Sequence, residues 1–189
     1  MGVAGVLLKN RRAGDARLAW NLPGLSGPQD LEVTSEAFGD GEAMPPEYAG
    51  KRAGGRNLSP PLAWTAPPPG TAELLLVLED IDVPLRSPFV HCMARIAADV
   101  RALPAGGLAA ADPAPGVRLL RSGLARGYLG PEPIKGHGPH RYVFQLFALA
   151  TPAVAASGPA AARARPRALL AAVAGPVLAR GQLTGTYSR

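Results

Sequence analysis

Acid, base and hydroxyl groups crowd two short stretches of this chain, Asp80-Ile81-Asp82-Val83-Pro84 and Gly138-Pro139-His140-Arg141-Tyr142, with another imidazole at His91 between them. Carboxylates two residues apart could hold a cation, exchange protons or orient their neighbours. A hard cation would ask for more oxygen ligands than this loop supplies. Asp82 beside Pro84 reads as a turn cap that accepts from backbone N–H groups, while Asp80, at the mouth of an apolar run, leaves structural and functional roles open. The spacing His137-Gly138-Pro139-His140 suggests a zinc pair on paper. Gly and Pro between the rings prevent a helical turn, and no Cys pair or HExxH supports it, so no metal is expected. His140 reads as a pocket residue and His137 as loop surface. The one cysteine, Cys92, precludes an intramolecular disulfide and reads as a buried thiol. There is no Gly-x-Ser-x-Gly elbow, no P-loop and no GxGxxG in a strand-to-helix setting, so serine hydrolase and nucleotide hydrolase chemistry lack their carriers.

Each polar stretch abuts an apolar run that must position it. Leu74-Leu75-Leu76-Val77-Leu78 leads into the first, and Val143 to Leu149 leads out of the second. Glu73 to Glu79 is so uniformly apolar that it predicts a strand buried on both faces. Pro88 to Ile96 predicts its neighbour, Arg141 to Leu149 a strong strand, Val117 to Leu120 a short one, and Gln182 to Tyr187 a closing one. Leu31 to Phe38 alternates and predicts the first strand of the main domain. Met44 to Leu62 has no period, and its prolines predict an extended, ordered loop. Arg167 to Arg180 carries Leu169, Leu170, Val173, Val177 and Leu178 at helical spacing, with Pro176 inside it as a kink or an early stop. Thr151 to Arg167 is an Ala/Pro/Arg-rich low-complexity stretch. Residues 1–30 form an arm whose Leu18, Trp20 and Leu22 could pack on the body or on a partner subunit, and 31–189 form the main domain.

Composition sets the outer limits. A chain of 189 residues suits one domain with a single good core. Its 23 glycines and 21 prolines argue for short segments joined by turns and against a helical bundle. Several strands, few helices and no βαβ alternation give a mainly β, antiparallel class. The formal charge of +6 comes from arginines spread along the chain, and neither basic cluster is interleaved with stacking aromatics, so no nucleic-acid partner is expected. Basic residues follow the apolar Met1–Leu8 rather than precede it, which is not a secretory signal. No stretch has the length to span a bilayer, and no basic amphipathic helix with aromatic anchors suggests membrane contact. The expected location is the cytoplasm.

Taken together, Asn57-Leu58-Ser59-Pro60-Pro61-Leu62-Ala63-Trp64, then Asp80-x-Asp82-x-Pro84, His91, Gly130-Pro131-x-Pro133 and His140-Arg141-Tyr142-Val143-Phe144 resemble the phosphatidylethanolamine-binding protein (PEBP) family. The bacterial YbhB/YbcL, or Raf kinase inhibitor-like, branch matches best, in collinear order from about Leu31 to Tyr187. The resemblance implies an antiparallel β-sandwich with one or two peripheral helices near the C-terminus. It also implies a small cavity for phosphate, phosphoryl head groups or similar anions. Asp80, His91, His140 and Tyr142 would line that cavity, with Asp82 beside them, and Pro84, Gly130 and Pro133 would shape its wall. A cis peptide before one of the motif prolines would suit such a rim. Homodimers are frequent in this branch, and the Leu18–Leu25 arm would extend such an interface. Glu132 departs from the family pattern, where a small residue or cysteine is common; it is expected to point to solvent. Ile134 replaces a common proline.

Three functional expectations follow. The first is a cofactor-free binding protein for a small anionic or phosphorylated ligand. The second is a small-metabolite isomerase, cyclase or hydrolase in the same pocket, with His140 or Glu132 as acid or base. The third is a kinase- or protein-interaction module.

Overall fold

The computed structural model describes residues 3–153 and 164–189. Two antiparallel sheets organise the molecule. Five strands pair in the order β6-β4-β3-β7-β8, namely β3 (Glu73–Asp80), β4 (Phe89–Ala97), β6 (Val117–Leu119), β7 (His140–Leu149) and β8 (Val177–Tyr187). Three shorter strands pair in the order β1-β2-β5, from β1 (Val33–Thr34), β2 (Leu62–Trp64) and β5 (Ala102–Leu103). Helices are short: α1 (Val3–Leu8), α2 (Pro166–Ala171) and four single 3₁₀ turns among the described residues.

Strand β3 lies at the centre of the larger sheet, and all its residues are buried. Its alternation explains why. Leu74, Leu76 and Leu78 face inward with Trp64 and Leu103 of the smaller sheet, forming the sandwich core. Leu75 and Val77 face outward, where Ala19, Leu25, Leu169 and Leu170 cover them. The expected arm is therefore the outer layer of its own body. Polar groups fasten it there: the buried Glu79 accepts from Ala19 N (2.7 Å) and Gln145 Nε2 (2.9 Å), and Gln145 accepts from Trp20 N (2.7 Å). Burial pushes the Glu79 pKa up, against the lowering effect of its ion pair with Arg167. Arg180 stacks over the Trp20 ring at 3.9 Å.

Several expected elements change their bounds. The helix expected over Arg167–Arg180 ends at Ala171, and β8 begins at Val177 rather than Gln182. Pro176 cannot continue a helix, and beyond it Val177, Ala179 and Leu183 are buried at the alternating spacing of a strand. The strand expected over Leu31–Phe38 shrinks to Val33–Thr34. Strand β2 starts at the end of the expected Met44–Leu62 loop and β5 lies where no strand was expected; at three and two residues they are too short to show a period. The Met44–Leu62 loop includes the 3₁₀ turns Pro46–Tyr48 and Lys51–Ala53. Of the low-complexity stretch, residues 154–163 lie outside those described. Every described peptide bond is trans, so the expected cis bond is not found.

If the arm is part of the core, truncating its fully buried leucine is costly. Leu25→Ala is expected to lower stability by about 2–5 kcal/mol in urea unfolding, whereas a surface position would cost about 0.5 kcal/mol or less.

Candidate functional site

Strand register delivers the site residues to one end of the inward face. Asp80 pairs directly with Tyr142, and His140 starts β7 two residues earlier on the same face. His91 would point the other way in a regular strand. The β3–β4 register shifts between Leu78 and Glu79: Cys92 opposes Leu78, and Val90 opposes Glu79. His91 is thus the extra residue of a bulge. Val90 joins the outer core while His91 turns inward to pack edge-on against Tyr142, ring centroids 5.2 Å apart.

Together these residues floor a cavity of about 340 Å³, at the small end of ligand sites. Pro84, Gly130 and Pro133, which the family resemblance implies would shape the wall, are among its lining residues. Gly130 lies against the backbone of Tyr48–Gly50, where no Cβ would fit. Asn57, in the left-handed region at φ 57°, holds this wall: its Oδ1 accepts from Gly130 N (2.8 Å) and its Nδ2 donates to Tyr128 O (3.1 Å). Asn tolerates that conformation better than most residues, a signal present in the motif but not read as a role. Leu85, Leu124 and Ile134, three of the exposed large hydrophobic residues, also line the cavity.

A continuous hydrogen-bonded chain runs behind the floor. Asp80 Oδ2 lies 2.8 Å from His140 Nδ1, and His140 Nε2 lies 2.7 Å from His137 Nδ1. His137 Nε2 then meets the arm carbonyls of Leu8 (2.8 Å) and Arg11 (3.1 Å). His137 is therefore fully buried, not loop surface, because residues 8–12 close over it. His140 lines the cavity, yet both its ring nitrogens are occupied. It cannot bond a ligand without giving up Asp80 or His137.

The free hydrogen-bonding groups are elsewhere. His91 Nδ1 donates to Leu129 O (2.8 Å), and its Nε2 lies 4.0 Å from Asp80 Oδ2, beyond hydrogen-bonding distance. Burial pushes the His91 pKa down, with the Asp80 charge opposing, so the ring is neutral and Nε2 is an acceptor. The buried Tyr142 hydroxyl has no partner at hydrogen-bonding geometry among the described residues. Burial, and then the charge and close approach of the Asp80 carboxylate, which is near the hydroxyl but not aligned with it, raise its pKa far above the ordinary value, so it stays an O–H donor.

Asp82 does not line the cavity. It is turned into a clamp: Arg141 donates to it from Nε and Nη2 (both 2.8 Å) and from its backbone N (2.8 Å), and Arg12 pairs at 2.9 Å. Its turn-capping role is taken by Asp80, whose Oδ1 accepts from Asp82 N (2.9 Å). Neither arginine was singled out from sequence, since only the fold brings Arg12 to Asp82. Glu132 is exposed at the rim, and its Oε1 accepts from Arg52 N (2.9 Å), capping the Lys51–Ala53 turn against Gly50. Among the described residues, no group of three or more His, Cys, Asp or Glu side chains is arranged to hold a metal ion. No helix there is long and apolar enough to cross a membrane.

This fold and site define a recognisable class. The family model for phosphatidylethanolamine-binding protein matches residues 34–188, and the chain belongs to that family. The crystal structure of YbcL from E. coli, a member of the mammalian PEBP family, superposes with a TM-score of 0.72 at 28% identity, covering 85% of this chain and 99% of that one. A UPF0098 protein of Aquifex aeolicus is 31% identical over 169 residues, 87% of this chain and 92% of that protein. A fungal phomoidride biosynthesis cluster protein B is 33% identical over 158 residues, 77% of this chain and 74% of that protein. The family match starts at residue 34, so the carbonyls that hold His137 come from outside it.

The clamp predicts a pH signature. Burial raises the Asp82 pKa, but the Arg141 and Arg12 bonds outweigh it and bring it from 3.8 to about 2. A depressed pKa contributes stability that is present above about pH 4 and lost as pH falls through about 2. Asp82→Asn is expected to cost on the order of 2 kcal/mol at neutral pH in urea unfolding, with the gap to wild type closing between about pH 4 and 2.

Proposed function

We propose that this protein binds a small ligand through a singly protonated oxyacid group, a phosphate monoester monoanion being the best match, with an apolar substituent at the cavity mouth. The observation that carries this reading is the Tyr142 hydroxyl, which has no well-aligned partner among the described residues, on a ring packed edge-on against that of His91, whose Nε2 is an acceptor. A group placed between them must accept from one and donate to the other. A phosphate monoanion does both: an oxygen accepts from Tyr142 and the remaining P–OH donates to His91. Among the described residues no Lys or Arg lines the cavity, so a fully ionised phosphate would find no positive charge there to balance its second one. The apolar side chains Leu85, Leu124 and Ile134 suit a hydrocarbon or aryl group attached to the phosphate.

The enzyme reading meets a difficulty at both of its candidate bases. His140 has no free nitrogen, and Glu132 is engaged by the Arg52 backbone at the rim.

Calorimetry with phenyl phosphate tests the proposal. Saturable binding is expected, and Tyr142→Phe should weaken it about tenfold through loss of one hydrogen bond. Affinity should also fall as pH rises from about 6 to 8. The second phosphate pKa is about 6, and the dianion has no hydrogen to offer the neutral His91. Binding that strengthens over that range, or that Tyr142→Phe leaves untouched, contradicts the reading.

A further inference from the structure

The hydrogen-bonded chain behind the cavity sets its own proton content. Carbonyl oxygens only accept, so His137 Nε2, facing Leu8 O and Arg11 O, carries a hydrogen. One hydrogen lies between His137 Nδ1 and His140 Nε2, 2.7 Å apart, because two would collide and none would set lone pair against lone pair. One hydrogen lies between His140 Nδ1 and Asp80 Oδ2 for the same reason. Three hydrogens on two imidazoles and one carboxyl group sum to zero net charge. The unit is either a carboxylate with one imidazolium or a carboxylic acid with two neutral rings. Adding or removing a proton breaks one of its bonds, and all three side chains are buried, so a broken bond finds no water to replace it.

We propose that His137, anchored by the Leu8 and Arg11 carbonyls of the arm, is a positioning residue that locks His140 and Asp80 into this uncharged, non-titrating unit. Proton exchange with the cavity is thereby confined to His91. The arm is well placed for the task. Ala13 N and Gly14 N donate to Val83 O and Ile81 O, and Arg12 bridges Asp82 and Pro139 O, so one segment ties both polar stretches together. Helix α1 packs so closely on the loop that a Cβ on Gly5 would collide with Lys135 O and His137 N. The other titratable or charged groups around these rings are His91 on β4, Tyr142 on β7, Tyr187 opposite His140 on β8, Arg12 on the arm and the Asp82–Arg141 pair. Glu132 acts on His91 from the rim, and Lys135 precedes His137 in the loop. This inference rests on hydrogen-bond geometry and not on the ligand proposed above.

Nitrogen-15 NMR of the imidazole rings in the 189-residue chain tests it without any ligand. In wild type, the His137 and His140 ring nitrogens are expected to hold their shifts from about pH 5 to 8, so that any imidazole step in that range belongs to His91. In His137→Phe, which keeps a ring but removes both bonds, His140 should gain a titration step in that range. In His137→Asn, the amide oxygen stands near the Nδ1 position and can accept the His140 Nε2 hydrogen, so the step should vanish again. If His137→Phe does not fold, Gly5→Ala, which levers α1 off the loop without touching either ring, should produce the same step. A His140 that titrates in wild type overturns the inference. So does a His140 that stays silent in His137→Phe or in Gly5→Ala, or one that titrates equally in the Asn and Phe variants.

Discussion

Burying a carboxyl group and two imidazoles at the end of a β-sandwich requires that they satisfy one another, and the rest of the site depends on how they do so. Asp80, His140 and His137 form a single line of hydrogen bonds that ends on backbone carbonyls of the arm. An unsatisfied polar group at this depth would cost about 1–3 kcal/mol, comparable to a large fraction of a domain's stability. The sheet register places Asp80 beside Tyr142, and the Asp82–Arg141–Arg12 clamp draws the Asp80 loop, the start of β7 and the arm together. Remove the arm from this arrangement and the last imidazole loses both its acceptors.

That constraint divides the polar groups of the cavity into two sets. The line behind the floor is complete in itself. His91 and Tyr142 are left to face the cavity, one as acceptor and one as donor. On the proposed reading, recognition falls to this pair, and His140 shapes the floor without bonding the ligand. On the same reading, the chemistry that chooses the ligand is a matter of proton placement. The bulge that turns His91 inward is as important to it as the strand ends that carry Asp80 and Tyr142.

Much of this was legible in the residues. The nearly all-apolar Glu73–Glu79 run announced a doubly buried strand, and β3 is one. The strong, largely apolar Arg141–Leu149 run marked β7 to within a residue. The cavity residues Asp80, His91, His140 and Tyr142 were legible because stiff polar motifs sat at the ends of those runs. What escaped was long-range. His137 looked like surface because Gly138 and Pro139 follow it, and nothing local says that residues 8–12 cover it. Asp82 looked like a pocket neighbour of Asp80, but Arg12, seventy residues away, claims it. The apolar spacing around Arg167–Arg180 suited a helix until Pro176 divided it, and the first half of the closing strand was taken into that helix. The direction of His91 depends on one extra residue in a strand pairing, which no single-strand pattern records.

The most direct measurement is a crystal structure with phenyl phosphate bound. The account predicts phosphate oxygens within hydrogen-bonding distance of Tyr142 Oη and His91 Nε2, the phenyl ring among Leu85, Leu124 and Ile134, and the Asp80–His140–His137 bonds intact. A phosphate bonded to His140, with its contact to His137 broken, would contradict it.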